Sequence, residues 1–257
     1  MSTLLLKIAY SGTQFSGFAR QDGQRTVEEV VQGALVAVDP GCSKLRGMSR
    51  TDSGVHARAQ LVAFDASLEI PPRGWVLAMN SHLPDDVAVR EARAVPEGFH
   101  PRFAAKRKRY AYRLHLDRVR DPLRAPFVWR VGGELDLALM REEAATLEGT
   151  HAFAAFRSAG DGRENTERTL TRVAIDGPAD GELRVVVEGS AFLYNMVRII
   201  VGTLVDIGRH HRDKGTMARA LAERDRGILG TTAPPTGLCL DDAELTLPEN
   251  CGEPWPL

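Results

Sequence analysis

The sequence lacks the features that mark several familiar classes of protein. It has no run of about 18 apolar residues, so we expect no membrane-spanning helix. Its three cysteines are odd in number and far apart. This argues against a disulfide framework and a structural zinc site, and indicates a reducing compartment, the cytoplasm. The first residues have neither a basic segment nor a small-residue cleavage site, and we predict a strand there instead of a signal peptide.

Neither sign of charge predominates in the whole chain. The 257 residues have a formal net charge of −1, with 43% hydrophobic and 26% charged residues, as expected for a globular protein of one or two domains. Residues 102–113, however, contain six cations, no acid and interleaved aromatic side chains. Such a basic stripe is typical of contact with a phosphate backbone, although a solvated linker has the same pattern. Within it, Lys106, Arg107 and Lys108 are candidate substrate-binding residues.

Apolar periodicity predicts an α+β fold made of two similar halves. Each half has the order strand, helix, strand, strand, helix, strand, which defines a ferredoxin-like unit. The strands are predicted at 4–10, 44–49, 59–65, 87–95, 109–116, 170–175, 183–188 and 238–247, and the helices at 27–38, 71–79, 137–147 and 191–208. We therefore predict domains at 1–104 and 105–257, with antiparallel sheets side by side around a central cleft.

Residues 50–56, with the sequence Arg-Thr-Asp-Ser-Gly-Val-His, form the most informative segment. Gly54 predicts a tight turn directly after Asp52, because glycine adopts a positive φ readily. A carboxylate on such a turn lies at the edge of a sheet, where catalytic groups are common. The turn argues against a helix on which Asp52 and His56 would share a metal ion, and no third ligand is nearby. The alternative is a surface turn with Arg50 and Asp52 as an ion pair.

Other catalytic arrangements find little support in the chain. No Gly-x-Ser-x-Gly motif is present, which argues against a hydrolase with a nucleophile elbow. Glycoside hydrolysis would need a second carboxylate beside Asp52. Asp65, Asp85 and Asp86 are candidates only because they are acids, since their spacing from Asp52 does not point to a catalytic pair. A single nucleophilic or electrostatic aspartate remains.

Two further positions combine polar groups with apolar surroundings. Arg198 lies in a nearly apolar predicted helix, and a buried unpaired guanidinium would cost several kcal/mol, so it must meet a carboxylate or a phosphate. Glu188 and Asp206 would satisfy it as structural partners.

Tyr110 and Tyr112 are two apart on a predicted strand, so their side chains share a face of it. They are either core residues or a platform for a nucleic-acid base.

Together, these motifs resemble those of the TruA-type tRNA pseudouridine synthases. The resemblance is carried by Ser49 to Ala57, Lys108 to Tyr112 and Met196 to Gly202, and by the opening segment Ile8 to Phe18. These four segments are spread over nearly the whole chain. Two positions depart from the pattern, since many members have Gly where this chain has Ser49 and Trp where it has Phe18.

The resemblance implies isomerisation of uridine to pseudouridine at positions 38 to 40 of the tRNA anticodon arm. It implies that Asp52 is the catalytic aspartate, that Arg198 pairs with it, and that Tyr110 stacks on the target base. Arg50 would enter the RNA as the base leaves, and His56 is a further candidate for substrate binding. A homodimer without metal or organic cofactor is also implied. The alternatives from the residues are a non-catalytic tRNA-binding protein with tandem RNA-recognition-like domains, and a nucleoside or glycoside hydrolase.

Overall fold

The computed structural model describes residues 2–256 and divides the chain into two compact units. Unit 1 comprises Met1–Lys106 and Leu240–Leu257, and unit 2 comprises Arg107–Cys239. Each contains helices and a largely antiparallel sheet, which confirms the predicted α+β class. Within residues 2–256, no helix combines the length and the apolar character needed to cross a bilayer.

The helices and strands follow one another in an order close to the predicted one. In chain order they are β1 (Ser2–Tyr10), α1 (Val27–Val38), β2 (Arg46–Gly47), β3 (His56–Ala66), α2 (Pro72–His82), β4 (Val87–Val95), α3 (Pro101–Ala104), β5 (Ala105–His115), β6 (Trp129–Arg130), α4 (Leu137–Ala145), β7 (Gly149–Ala152), β8 (Glu167–Ala179), β9 (Glu182–Gly189), α5 (Met196–Gly208), α6 (Thr216–Glu223), β10 (Leu238–Leu245) and β11 (Trp255–Pro256).

Unit 1 has the strand order of a ferredoxin-like fold. β1 lies between β4 and β3 and is antiparallel to both, and β2 pairs with β3. The resulting order β4-β1-β3-β2 confirms the predicted unit. The helix α1 buries Val27, Val31 and Leu35, whose spacing places them on one face. On the other helix, the buried Trp75 of α2 meets Phe64 of β3 edge to face, with ring centroids 4.9 Å apart. Such a pair adds about 0.5–1.5 kcal/mol to the free energy of burial.

Unit 2 repeats much of this arrangement. Its sheet has the order β5-β9-β8-β7, with all these pairs antiparallel, while β6 pairs in parallel with β5. Helix α5 is buried at 11 of its 13 positions, as its apolar sequence predicts. At the start of α4, Asp136 accepts a 2.9 Å hydrogen bond from the backbone N–H of Leu139 and so caps the helix. The sequence patterns did not predict α3, α6, β6, β7 or β11.

Two predicted boundaries in unit 2 are wrong for local conformational reasons. The helix predicted from Ala191 begins at Met196, because Asn195 adopts a left-handed conformation with φ of 60°. The strand predicted at 170–175 extends to Ala179, and the hairpin turns at Asp180 and Gly181, both with positive φ (49° and 70°). Two consecutive positive φ angles define the turn that best connects twisted antiparallel strands. A register shift between Asp176 and Ala179 accompanies the extension of β8 beyond the predicted end of the strand.

Candidate active site

Asp52 lies on a tight turn between β2 and β3 in unit 1. The backbone N–H of Val55 donates a 3.1 Å hydrogen bond to the carbonyl of Asp52, and Gly54 has φ of +78°. A positive φ at the third residue is required in a type II turn, and glycine satisfies this requirement without strain. The Asp52 side chain is half-buried. The predicted turn is therefore confirmed, and it presents the carboxylate from a defined backbone conformation.

The opening segment of the chain holds this turn on both sides of Asp52. The backbone N–H of Gly54 donates to the carbonyl of Phe15 at 3.2 Å, and the backbone N–H of Phe18 donates to the carbonyl of Thr51 at 3.0 Å. Thr51 directly precedes Asp52, and Gly54 follows it by two residues. The backbone of the turn is thus tied to residues 15–18 at two points.

Gly12 brings the opening segment within direct contact of the turn. A Cβ atom at Gly12 would lie 2.1 Å from the carbonyl oxygen of Val55, so no larger residue fits. Its backbone N–H donates to Nδ1 of His56 at 3.0 Å, which requires that the ring proton lie on Nε2. His56 is only 5% exposed. The hydroxyls of Tyr10 and Thr51 add a 2.7 Å hydrogen bond.

Two candidate cations of unit 1 remain accessible. Arg50 is exposed and comes two residues before Asp52. Lys106 forms a 2.8 Å ion pair with Glu244, but its side chain is 65% exposed. Exposed ion pairs contribute about 0–1 kcal/mol, so a phosphate can compete for this ammonium group.

In unit 2, the two tyrosines of β5 differ in their surroundings. Tyr110 packs edge to face against Phe192, with ring centroids 5.0 Å apart. Tyr112 is fully buried and its hydroxyl donates to the carbonyl of Pro234 at 2.6 Å. Burial raises the pKa of Tyr112 well above its ordinary range, against the opposing effect of Arg198. Core packing therefore accounts for Tyr112.

The guanidinium of Arg198 is oriented by neighbours in unit 2. Its Nε donates to the carbonyl of Ala233 at 2.8 Å and its Nη1 donates to Oδ1 of Asn195 at 2.6 Å. The backbone N–H of Ala233 also donates to the carbonyl of Arg198 at 3.0 Å. These bonds join the first turn of α5 to the loop before β10 and limit the directions in which the guanidinium can point.

The two acids that would have satisfied Arg198 have other partners. Glu188 forms a 3.2 Å ion pair with Arg107, and Oδ2 of Asp206 accepts a 3.1 Å hydrogen bond from the backbone N–H of Thr231. Each of these acids thus has a partner of its own.

Acids on β9 partly neutralise the basic stripe of residues 102–113. Arg107 pairs with Glu188, and Arg113 pairs with Glu182 through two bonds of 2.5 and 2.7 Å. The second pairing raises the pKa of Arg113. Lys108, between them, is half-buried. Residues 102–113 contain six cations and no acid, but the pairing of β9 with β5 places carboxylates beside two of these cations.

An ion pair between a buried carboxylate and a half-exposed arginine supports the turn that precedes α5, and sequence reasoning missed it. The side chain of Asp161 is 3% exposed and receives Nε and Nη2 of Arg163 at 2.7 and 2.6 Å. These bonds hold the pKa of Asp161 well below its usual range. Its Oδ2 also accepts the backbone N–H of Tyr194 at 2.8 Å, and Nη1 of Arg163 donates to the carbonyl of Phe192 at 3.0 Å.

Ser158 extends this support to Asn195. Its Oγ accepts a 2.8 Å hydrogen bond from Nδ2 of Asn195, and its backbone N–H donates to the carbonyl of Tyr194 at 3.2 Å. Asn195 in turn binds Arg198 through its Oδ1. The loop at 157–163 therefore contacts the residues that orient Arg198. The Asp-x-Arg spacing within a loop was the only sequence signal for it.

Comparison with known proteins agrees with these motifs. Residues 7–104 and 144–244, more than half of the chain, match a family described as tRNA pseudouridine synthase. Proteins named tRNA pseudouridine synthase A are 44% identical over 241 residues in Geobacter sulfurreducens (93% of this chain, 98% of the relative) and 42% identical over 247 residues in Halalkalibacterium halodurans (96% and 94%). The protein of that name from Shouchella clausii is 40% identical over 249 residues (96% and 95%). The chain therefore belongs to the tRNA pseudouridine synthase family, which confirms the family and the class of enzyme that its motifs predicted.

Proposed function

We propose that this protein isomerises uridine to pseudouridine at positions 38 to 40 of the tRNA anticodon arm, with Asp52 as nucleophile or electrostatic catalyst. The observation that carries the proposal is the presentation of Asp52 on a type II turn whose backbone is tied to residues 15–18. Rigid placement of one carboxylate matters because a catalytic group contributes most when it is held in its reactive geometry.

The reaction explains why an ionised carboxylate is needed. It breaks the N1–C1′ bond of uridine, rotates the uracil and rejoins it to C1′ through C5. An anionic oxygen can attack C1′ or C6, or it can stabilise a positively charged ribose. In the proposed site Arg198 pairs with Asp52, since a neighbouring guanidinium favours the charged form of a carboxyl group. Excluding water would protect the intermediate from hydrolysis.

The remaining candidates would bring the base out of its stack and hold it. Unstacking requires a few kcal/mol, and stacking on an aromatic ring such as that of Tyr110 returns about 1–3 kcal/mol. Phosphate contacts by Lys106, Arg107 and Lys108, with insertion of the exposed Arg50, would supply the difference. His56 would contribute to substrate binding through the turn, since its buried ring holds Gly12.

The resemblance to the TruA-type enzymes extends the proposal to assembly and location. We propose a cytoplasmic homodimer that uses neither a metal ion nor an organic cofactor. Its two tandem domains, 1–104 and 105–257, would carry Asp52 in the first and Tyr110 and Arg198 in the second.

The decisive experiment is carbodiimide detection of pseudouridine in a tRNA transcript after incubation with purified protein. We expect product at positions 38 to 40 with the wild type and none with Asp52→Asn or Asp52→Ala, both of which still bind the transcript. Asp85→Asn, a matched change at an exposed acid of unit 1, keeps full turnover. Turnover by Asp52→Ala would refute the catalytic role.

The same assay separates the alternatives. A non-catalytic RNA-binding protein would bind the transcript and leave every uridine unmodified. A nucleoside or glycoside hydrolase would release free uracil. Pseudouridine at positions 38 to 40, with no release of free uracil, would exclude both.

A further inference from the structure

Two half-buried arginines of unit 2 lack a carboxylate partner. Arg212 follows α5, and Arg226 begins the short helical turn after α6. In the described part of the chain, residues 2–256, neither guanidinium forms an ion pair. By contrast, the neighbouring Lys214 pairs with Glu142 at 2.5 Å. Asp225, next to Arg226, accepts the backbone N–H of Gly227 at 2.8 Å.

Within the described range, each guanidinium makes one hydrogen bond, and both bonds go to the same loop. Nη2 of Arg212 donates to the carbonyl of Leu229 at 3.1 Å, and Nη2 of Arg226 donates to Oγ1 of Thr232 at 3.3 Å. A guanidinium has five N–H donors, so most of the donors of both side chains have no acceptor among residues 2–256. The acceptors that they do have are uncharged.

The two positive charges also lie close enough to repel each other. Burial lowers the pKa of Arg226, and the charge of Arg212 lowers it further. Two like charges in a partly desolvated place are unfavourable unless an anion compensates them. A phosphate group suits the position, because its oxygens match the planar fork of a guanidinium and accept several hydrogen bonds at once.

The loop that these arginines hold also orients Arg198. Thr232, the partner of Arg226, precedes Ala233, whose carbonyl accepts Nε of Arg198. Adjacent Cα atoms are about 3.8 Å apart. A phosphate bound by Arg212 and Arg226 would therefore lie close to the loop segment that binds the proposed catalytic guanidinium.

We propose that Arg212 and Arg226 together bind one phosphodiester of the substrate RNA, outside the target nucleotide. This deepens the proposed function and rests on an RNA substrate. The pair would anchor the RNA backbone, and the loop from Leu229 to Ala233 would join this anchor to Arg198.

The test compares salt dependence of tRNA binding among variants. Arg212→Gln, Arg226→Gln and the double variant are titrated with an unmodified tRNA transcript over a series of salt concentrations. Losing one phosphate contact reduces the slope of log K against log salt by about 0.7–0.9, which corresponds to roughly five- to eightfold weaker binding near 0.1 M salt. We expect this change for the double variant, with a raised KM and nearly unchanged kcat. Arg219→Gln, at an exposed cation of α6, serves as the matched control and keeps the wild-type slope.

Thermal unfolding separates binding from a structural role. Removing a repelled charge should leave the melting temperature of RNA-free Arg226→Gln unchanged or higher. A lower melting temperature with an unchanged slope would mean that the pair only supports the loop, and would overturn the proposal. Millimolar inorganic phosphate is the second probe. If it stabilises the wild type but the slope for tRNA does not change in the variants, the pair binds a free anion only, and the proposal is again wrong.

A result that refutes phosphate binding by Arg212 and Arg226 differs from one that refutes the proposed isomerase activity. A wild-type protein that binds tRNA without forming pseudouridine would refute the isomerase proposal. The slope comparison would still decide whether Arg212 and Arg226 contact a phosphate.

Discussion

The backbone N–H of Tyr194 donates a 2.8 Å hydrogen bond to Oδ2 of Asp161, which lies 33 positions earlier in the sequence. Through this bond, and through Arg163, a loop without regular structure holds the turn that leads into α5. Arg198 is oriented by Asn195 at the end of that turn. A residue distant in the sequence from every motif is therefore linked to the proposed catalytic guanidinium by a short series of contacts.

Asp161→Asn should lower turnover more than it lowers tRNA affinity. The amide keeps an oxygen for the N–H of Tyr194 but loses the charge that holds Arg163. Hydrogen bonds to charged groups contribute about 1.5–3 kcal/mol, so a fall in kcat of about tenfold is expected. Single-turnover kinetics and tRNA titration measure the two effects. Asp176→Asn removes a 52% exposed acid of the same unit and should change neither. Equal kcat for Asp161→Asn and wild type would show that the ion pair does not position the site.

Gly12→Ala should disrupt the turn that carries Asp52. The added Cβ would overlap the carbonyl oxygen of Val55, and relief requires the backbone of the turn to move. We expect a loss of stability of about 1–3 kcal/mol, as for overpacking in a core, and a fall in kcat of at least tenfold. The matched control is Gly33→Ala, in α1, where nothing lies within 4 Å of the added atom. That change should stabilise the protein by about 0.5–1 kcal/mol and leave turnover as it was. Similar behaviour of the two variants would contradict this account of Gly12.

Asp65 should make the stability of the protein depend on pH in the acid range. Two hydrogen bonds from Arg46, at 2.6 and 2.8 Å, lower the pKa of Asp65 to about 2. Because the pKa is lower in the folded state, this stabilisation is complete above about pH 4 and is lost as the pH falls towards 2.

Asp65→Asn should therefore be less stable than the wild type by about 2 kcal/mol near neutral pH, and the difference should shrink below about pH 4. Urea unfolding at a series of pH values measures it. Asp85→Asn, at an exposed acid, should show no such convergence. A difference that stayed constant with pH would mean that the Arg46–Asp65 pair contributes nothing through its charge.

The two tyrosines of β5 should respond differently to removal of the hydroxyl group. Tyr112→Phe leaves the carbonyl of Pro234 without its donor, and we expect a loss of about 1–3 kcal/mol of stability. Tyr110→Phe should reduce turnover, because we propose that the Tyr110 hydroxyl, besides the stacking of its ring, helps to remove the C5 proton. Melting temperature and kcat are measured for both variants. An unchanged kcat for Tyr110→Phe would leave stacking as the only role of that residue.

Local sequence patterns were sufficient to predict much of the fold and the turn that carries Asp52. The helix predicted at 27–38 and the strand predicted at 87–95 coincide with α1 and β4, because both have strong periodicity and clear ends. Gly54 predicted the turn after Asp52 for an equally local reason, since one residue alone supplies the positive φ. These features depend on neighbouring residues, and neighbours are visible in the sequence.

The contacts that hold the site could not be predicted in this way. Asn195 adopts a left-handed conformation and binds Ser158, 37 positions away in the sequence. For this reason α5 begins later than predicted. Arg107 and Arg113 of the basic stripe have acid partners because β9 pairs with β5. Chemical identity and local conformation are properties of a short stretch of chain, so motif, family and turn follow from residue order. The acids that compensate the cations of the basic stripe, and the contacts that orient Arg198, depend on which distant residues pack together. The same holds for the lack of a carboxylate partner for Arg212 and Arg226 among residues 2–256. Only folding brings such residues into contact.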